Sequence, residues 1–505
     1  MSLIQVDLLA ELADQFPEGV AWKNLGDGRE LRLREWHARS NQMARGMAVR
    51  GLKPGDRVAL AIRPNEPLEW LISYMAIHKA GAVAVPLNTR LSRPEHLRIL
   101  ALAAVKIILV SPGLLDDPAS TAELGALVAT TGAGGASGLA WRDLLDPDPS
   151  DIGHRLAADD VADIMYTSGT TGTPKGVVVR HGGLSSNDRV PTEWSGLGFI
   201  MGSPFSTTTG SLLVCGPMRG GMSGWFFPKF DPEAWLRLVE TDRPAVAMLV
   251  PAMMQLVVAN PYFEQADLSS LAVVSVGSAP TSSETLRRFG ARIPGAEITI
   301  GYGMTEFGAA TALPLGDAGK HLGSVGVPLP GVTLRIADDD GNELATGEAG
   351  EVLITGERPR REYFNQPEES ERTWKEGWLK SGDLGYLDAD GFLWIVGRSK
   401  EMIIRGGNNI MPGEVEAALF THPAVAEAAV AAIPHTVLGE DVAAWIVLRR
   451  DTTASADALR AFLLERLADY KVPRRYTFVE ALPRNEGGKV VKSQLVLDDQ
   501  PEGAS

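Results

Sequence analysis

Hydroxyl residues, three glycines and one lysine fall together in the string TSGTTGTPKG, from Thr167 to Gly176. Glycine lets a backbone turn tightly and lets amide N–H groups come close to a ligand. Successive amides in such a turn form a concave nest for anions. Ser168, Thr170 and Thr171 add hydroxyl donors, and Lys175 adds a mobile positive charge. Ile164 to Thr167 before the loop and Val177 to Val179 after it have strand pattern. The composition is that of a loop between strands made to hold phosphates. It is not a Walker loop, which needs G-x-x-x-x-G-K-[ST] opening a helix; here Gly176 follows Lys175.

Two later turns carry related chemistry. Leu271 to Val276 predicts a strand running into Gly277-Ser278-Ala279-Pro280. Ile298 to Ile300 predicts another, running into Gly301-Tyr302-Gly303-Met304-Thr305-Glu306. Polar loops at the carboxyl ends of strands are where open α/β sheets bind ligands. Tyr302 has a flat aromatic face for a purine, and Thr305 is a hydroxyl donor for phosphate. Glu306 is a hard oxygen ligand suited to Mg²⁺, which takes one or two carboxylates plus substrate phosphates.

The string YTSGTTGTPKGV, followed in order by GSAP and YGMTE, resembles the signature of the adenylate-forming superfamily. That superfamily comprises acyl- and aryl-CoA synthetases, adenylation domains and luciferases. The resemblance runs most firmly from Asp163 to Lys489, and its acyl-CoA synthetase branch fits best. It implies that Thr167, Ser168, Gly169, Thr170, Thr171, Gly172 and Lys175 surround the phosphates of ATP. It places Gly277, Ser278, Ala279 and Pro280 along the adenine, with Tyr302, Gly303 and Met304. Thr305 and Glu306 then serve phosphate and Mg²⁺. Asp383 receives the ribose hydroxyls, and Arg398 reaches the ribose or the phosphates. Lys400 falls at the family's hinge. Gly406, Gly407 and Asn408 match the glycine loop that lines the pantetheine tunnel in the second half-reaction. Lys489, in NEGGK, matches the C-terminal catalytic lysine.

Two positions depart from the family pattern. Ser206, in SPFSTTTG, stands where a His is common, and Asn408 stands where many members carry Glu or Phe. Phe205, Ser206, Trp225 and Gly308 are expected to line or gate the acyl pocket. Amino-acid-activating members carry an Asp in this region for the substrate ammonium. No Asp lies between Trp194 and Phe230, which argues against an α-amino acid.

The elements that must position these residues alternate. Glu30 to Arg50 predicts a helix, Val58 to Ile62 a strand, Leu68 to Lys79 a helix and Ala82 to Leu87 a strand. Glu95 to Ala104 is expected as a helix and Ile107 to Val110 as a strand. This alternation predicts layered parallel α/β sheets. Asp231 is expected to cap a helix, and Ala129 to Gly138 to form a linker. Gly331 to Gly397 changes to short strands with turn signals, a small antiparallel barrel or sheet. The last hundred or so residues predict a separate α+β domain, with strands near Ala426–Ile433 and Val442–Leu448. The fold class is therefore α/β, with a large N-terminal domain over 1–397, a hinge at 398–400 and a small mobile domain over 401–505.

Composition bounds the rest. The chain has 505 residues, a net charge of −15 and one cysteine, Cys215. The acidic balance argues against nucleic-acid partners, and the cysteine count suits a reducing cytoplasm. The first residues lack a basic leader, and no apolar run reaches membrane-spanning length. The expected activity is ATP- and Mg²⁺-dependent acyl-adenylate formation, then transfer to coenzyme A. The small-molecule partners are a carboxylic acid, ATP and CoA, and a homodimer is one option. The alternatives are an acyl-AMP ligase serving a carrier protein and a catalytically silent nucleotide-binding protein.

Overall fold

The computed structural model describes residues 3–115, 121, 123–132, 139–167, 174–184, 190–277, 283–313, 321–449, 452–484 and 489–497. Short Val-, Ile- and Ala-rich runs, buried along most of their length, build two large sheets. Such runs suit strands covered on both faces. The first sheet has six strands, in the order Leu127–Thr130, Ile107–Val110, Arg57–Ala61, Val83–Pro86, Val161–Thr167 and Lys175–Arg180. Five are parallel, and the last turns back antiparallel with Thr167 opposite Lys175.

The second sheet has nine strands: Val327–Pro328, Gly308–Ala312, Glu297–Met304, Val273–Val276, Val246–Leu249, Gly198–Met201, Ser223–Phe226, Val20–Asn24 and Glu30–Arg32. Its centre is parallel and its edges antiparallel. Helix Pro67–Lys79 is buried on nearly its whole circumference, as a helix inside a core must be. It shares one core with Val58 and Leu60 of the first sheet and Trp22 and Phe226 of the second, so it lies between the sheets. The outer face of the second sheet is covered by Pro232–Asp242, Pro251–Ala259 and Ser283–Arg292. Arg93–Ala103 covers the outer face of the first. Asp231 does cap its helix: its Oδ1 accepts from the Ala234 N–H at 2.8 Å.

Two expectations are corrected. Glu30–Arg32 is an edge strand, and the helix begins only at Leu33. Leu31 alone of the three is buried, and that alternation is a strand's. The strand expected at Ile298–Ile300 runs from Glu297 through Met304. Tyr302 therefore stands on a strand and not in a loop, and the turn falls at Thr305–Phe307 before Gly308–Ala312.

Val332–Ala337, Gly350–Gly356, Trp374–Lys375, Trp378–Leu387 and Leu393–Arg398 form a five-stranded antiparallel sheet. The C-terminal part has its own sheet and core. Asn408–Ile410, Ile403–Arg405, Gly439–Leu448, Val425–His435 and Arg475–Phe478 pair there, over Val415, Leu419, Leu459 and Leu463. Ile403–Arg405 and Asn408–Ile410 are joined through Gly406 and Gly407 alone, at φ +55° and +86°. A two-residue hairpin with positive φ at both centres is a type I′ turn, which glycine enters without steric cost.

Among the described residues no helix is long and apolar enough to cross a membrane.

Candidate active site

The hairpin Val161–Thr167 and Lys175–Arg180 opens at the carboxyl end of the first sheet. Ser168, Gly169, Thr170, Thr171 and Gly172 lie outside the described residues, as do Ser278, Ala279 and Pro280. Their flanks are placed: Thr167 and Lys175 at the mouth of the hairpin, and Gly277 at the end of Val273–Val276.

Lys175 is held on two sides. Its Nζ lies 2.5 Å from Glu369 Oε2 and 5.2 Å from the centre of the Tyr363 ring. The Tyr363 hydroxyl donates to Glu306 Oε1 at 2.9 Å. Burial, then the nearby Glu306 carboxylate, push that phenol well above its ordinary pKa, so it stays a donor.

Residues 361–364 reach this place by pairing with the outer edge of Lys175–Arg180. The Val178 N–H donates to the Glu362 carbonyl at 2.8 Å, and the Phe364 N–H to the Gly176 carbonyl at 2.7 Å. Side chains alternate along such an edge, and Arg361 and Tyr363 both point to the site. Arg361 is buried; it donates to the Thr305 carbonyl at 2.8 Å and the Gly183 carbonyl at 3.2 Å. Burial pulls its pKa down to about 10, with Arg358 adding to the fall and Asp163 and Glu306 opposing it. Sequence reasoning missed Arg361, Tyr363 and Glu369. Their string RREYFNQPEE looks like an ordinary loop, and their contacts arise only on pairing with a strand far away in the chain.

Tyr302, Asp383 and Arg398 form a second group. The Tyr302 hydroxyl donates to Asp383 Oδ2 at 2.6 Å, and Arg398 Nε lies 2.9 Å from Asp383 Oδ1. Asp383 is opposite Arg398 across the antiparallel pair, which sets the contact. Burial and then Asp383 raise the Tyr302 pKa, so the phenol keeps its proton. Thr305 Oγ1 lies 2.9 Å from Thr208 Oγ1, and Thr208 begins the short helix after Phe205 and Ser206. Gly303 lies against the backbone of Gly308, where a Cβ would be 2.3 Å from a carbonyl oxygen.

Two lysines from the C-terminal side close the cluster. Lys400 sits in the turn Ser399–Glu401, beside Arg398. Lys489 lies inside the hairpin that pairs Arg484 with Val490, directly before Val490. Both have lowered pKa values, through desolvation first and Arg398 second, and both feel the opposing pull of Asp383, Glu306 and Glu401. Lys400 and Lys489 thus share the electrostatic neighbourhood of Asp383 and Glu306, although the Lys489 residue as a whole keeps access to solvent. Lys492 ties this hairpin down through Glu401 at 3.2 Å and Glu416 at 3.0 Å. Gly406, Gly407 and Asn408 are exposed, and their described hydrogen bonds stay within the C-terminal sheet.

The four expected pocket residues do not come together. Phe205 is buried and stacked between Trp70 and Phe226, at 5.1 and 4.7 Å between ring centres. Ser206 shares a cleft with Phe205, Arg63, Pro64, Pro67 and Trp70. Trp225 lies on the opposite face of its strand from Phe226 and packs over Gly198 in the outer core. A strand sends neighbouring side chains to opposite faces, so Trp225 cannot join Phe205. Gly308, at φ +93°, faces Arg358 and Arg361 instead.

The arrangement joins cationic groups, backbone turns and one well-placed carboxylate at the carboxyl ends of the strands. It suits a nucleotide triphosphate with a hard cation. Among the described residues no group of three or more His, Cys, Asp or Glu could hold a metal. The Glu306 carboxylate is a hard oxygen donor of the kind that Mg²⁺ takes beside substrate phosphates.

Residues 9–364 match the family described as AMP-binding enzyme, and residues 414–489 match the AMP-binding enzyme C-terminal domain. The chain is 35% identical over 475 residues to a feruloyl-CoA synthase of an Amycolatopsis species, covering 93% of this chain and 94% of the relative. It is 32% identical over 490 residues to the fatty acid–[acyl-carrier-protein] ligase ScoC of Streptomyces coeruleorubidus, covering 93% and 92%. The solved structure of ATP-bound MatB from Rhodopseudomonas palustris matches with a TM-score of 0.86, at 32% identity over 97% of both chains. Matched in both its parts and over nearly its whole length, the chain belongs to the AMP-binding, adenylate-forming enzymes, in their acyl-CoA ligase branch.

Proposed function

We propose that this enzyme is an AMP-forming acid–CoA ligase. The observation that carries the reading is a pair of held carboxylates: Asp383 between Tyr302 and Arg398, and Glu306 on the hydroxyl of Tyr363, whose ring underlies Lys175. A carboxylate and a triphosphate repel, so cations and aligned amides must bring them together. Positioning and electrostatic stabilisation carry such chemistry. The acid is already ionised at neutral pH and needs no general base.

In the first half-reaction the carboxylate oxygen attacks the α-phosphorus of ATP, and the bond to the pyrophosphate oxygen breaks. The loop from Thr167 to Gly172 and Lys175 hold the phosphates, and Lys489 faces the α-phosphate. Glu306 would hold Mg²⁺, which supplies positive charge to the phosphate oxygens. Thr305 donates to phosphate. Asp383 and Arg398 hold the ribose, and Gly277 to Pro280 with Tyr302 to Met304 flank the adenine. In the second half-reaction the CoA thiol attacks the acyl carbonyl and AMP leaves. The small domain, 401–505, turns about the hinge at 398–400 against the large domain, 1–397. It then presents Gly406, Gly407 and Asn408 in place of Lys489.

The cleft beside Ser206 takes the acyl group. Its floor is the Trp70–Phe205–Phe226 stack. Flat aromatic walls suit an apolar acyl group, a ring above all. We place the enzyme in the cytoplasm and carry a homodimer as its assembly. The test is incubation with ATP, Mg²⁺, CoA and a panel of acids, with pyrophosphate and thioester assayed separately. Pyrophosphate release that needs acid and Mg²⁺, with matching CoA consumption, is expected. Adenylate without thioester across the panel would move the function to a carrier-dependent ligase. No pyrophosphate with any acid would make the protein a silent nucleotide binder.

A further inference from the structure

We propose that Tyr363 is a positioning residue that keeps the phosphate-loop lysine and the metal carboxylate apart, with Glu369 as the lysine's resting counter-charge. Lys175 and Glu306 carry opposite charges in one site. Left free to meet, they would pair, and both would be lost to the substrate. Instead one phenol stands between them. Its ring lies under the Lys175 ammonium, 5.2 Å from centre to Nζ, and its hydroxyl takes one oxygen of Glu306 at 2.9 Å. The phenol thus takes only one of the two Glu306 oxygens. Glu369 satisfies Lys175 from the helix Pro367–Thr373, at 2.5 Å.

The seat of Tyr363 is rigid. Its backbone N–H donates to the buried Ser370 hydroxyl at 2.9 Å, and the backbone on either side is paired to Lys175–Arg180. Arg361, on the same face, grips the carbonyl of Thr305, next to Glu306. The Trp374 indole N–H in turn holds the Arg361 carbonyl at 3.0 Å. The segment thus fixes the position of Glu306 from the side and the backbone together.

The inference rests on the reading of Lys175 and Glu306 as groups that meet phosphate and Mg²⁺. Its test is equilibrium binding of α,β-methylene-ATP by calorimetry, with EDTA and then across a Mg²⁺ series. Far-UV circular dichroism and thermal melts check that each variant is folded. Tyr363→Phe keeps the ring and removes only the hydroxyl. It should leave metal-free binding unchanged and raise the Mg²⁺ needed for half-maximal enhancement roughly tenfold, as loss of a hydrogen bond to a charged group does. Tyr363→Ala removes the spacer and should weaken metal-free binding as well. Glu369→Gln, at a partly exposed site, should tighten metal-free binding by about fivefold, the size of a surface ion pair. A folded Phe variant with the wild-type Mg²⁺ curve overturns the spacer, and so does a Gln variant with unchanged metal-free affinity. If the wild type itself binds no analogue, the reading of the site fails, not the spacer alone.

Discussion

The site is approached from two sides that are built differently. On the large-domain side, Lys175, Glu306, Tyr302 and Asp383 are each held by side-chain contacts to partners from other elements. Those partners are buried or half-buried, and Arg361 braces the backbone beneath them. On the C-terminal side, Lys489 arrives in a short hairpin. Among the ties described there are ion pairs of partly exposed groups, Lys492 with Glu401 and Glu416, which stay inside 401–505. Exposed pairs of this kind contribute about 0–1 kcal/mol. The first side is braced by its side-chain contacts, while the pairs that hold the Lys489 hairpin lie within 401–505, so on the proposed reading that unit carries Lys489 with it when it turns about 398–400. An enzyme of two half-reactions needs both: a constant grip on nucleotide, and a group withdrawn once the adenylate has formed.

The strongest way to break this comparison is to remove the lysine of the second side. Lys489→Ala should slow adenylation on the order of 10²–10³, the usual cost of one preorganised charge contact. Thioester formation from synthetic adenylate and CoA should stay largely intact. Equal slowing of the pyrophosphate burst and of the thioester step would show that Lys489 is not confined to the first reaction. The converse variant is Lys400→Pro. Proline fixes φ and removes a donor, so the hinge should stiffen after adenylation is complete. The burst should persist while thioester formation falls.

A pH series sharpens the same contrast. Lys489 has a lowered pKa because the protein around it and Arg398 disfavour its charge. A lysine in that state loses its proton as pH rises, sooner than an ordinary one. Adenylation should therefore hold at neutral pH and fall on the alkaline limb. Lys489→Arg keeps its charge far into the alkaline range, so that limb should move to higher pH. A limb that does not move would assign it to another group.

Ser206→His probes the fixed side at the acyl cleft. It should change the ratio of kcat/KM between ring-bearing and chain-bearing acids by about tenfold, since specificity is that ratio, and leave ATP affinity near its starting value. Unchanged ratios would place the acyl group elsewhere. The smallest effect belongs to Lys492→Ala. Loss of its pairs with Glu401 and Glu416 should cost at most about 1 kcal/mol of stability. The difference from wild type in the melting curve should shrink as salt is added, because screening already weakens such pairs.

Some of this molecule was legible in its sequence. Of the site expectations read from short strings, the structure forms the Gly406-Gly407 turn and sets Asp383 against Arg398, while Ser168 to Gly172 lie outside the described residues. Local chemistry explains that legibility: a turn that needs positive φ at both centres needs glycine. The parallel α/β layers were legible for the same reason, since a strand buried on both faces must be apolar throughout.

What the sequence could not state is which distant residues meet. Tyr363 and Glu369 are 188 and 194 positions from Lys175, and only the pairing of their segment with an edge strand brings them to it. Trp225 and Phe226 are neighbours in the chain, yet the pleat of one strand sends them to different cores. Glu30 to Arg32 left the predicted helix because an edge in the nine-stranded sheet was there to be paired. Residue type and near spacing determine what a side chain can do. Register, strand face and sheet edge are set when remote segments pack, and they decide which side chain it does it with.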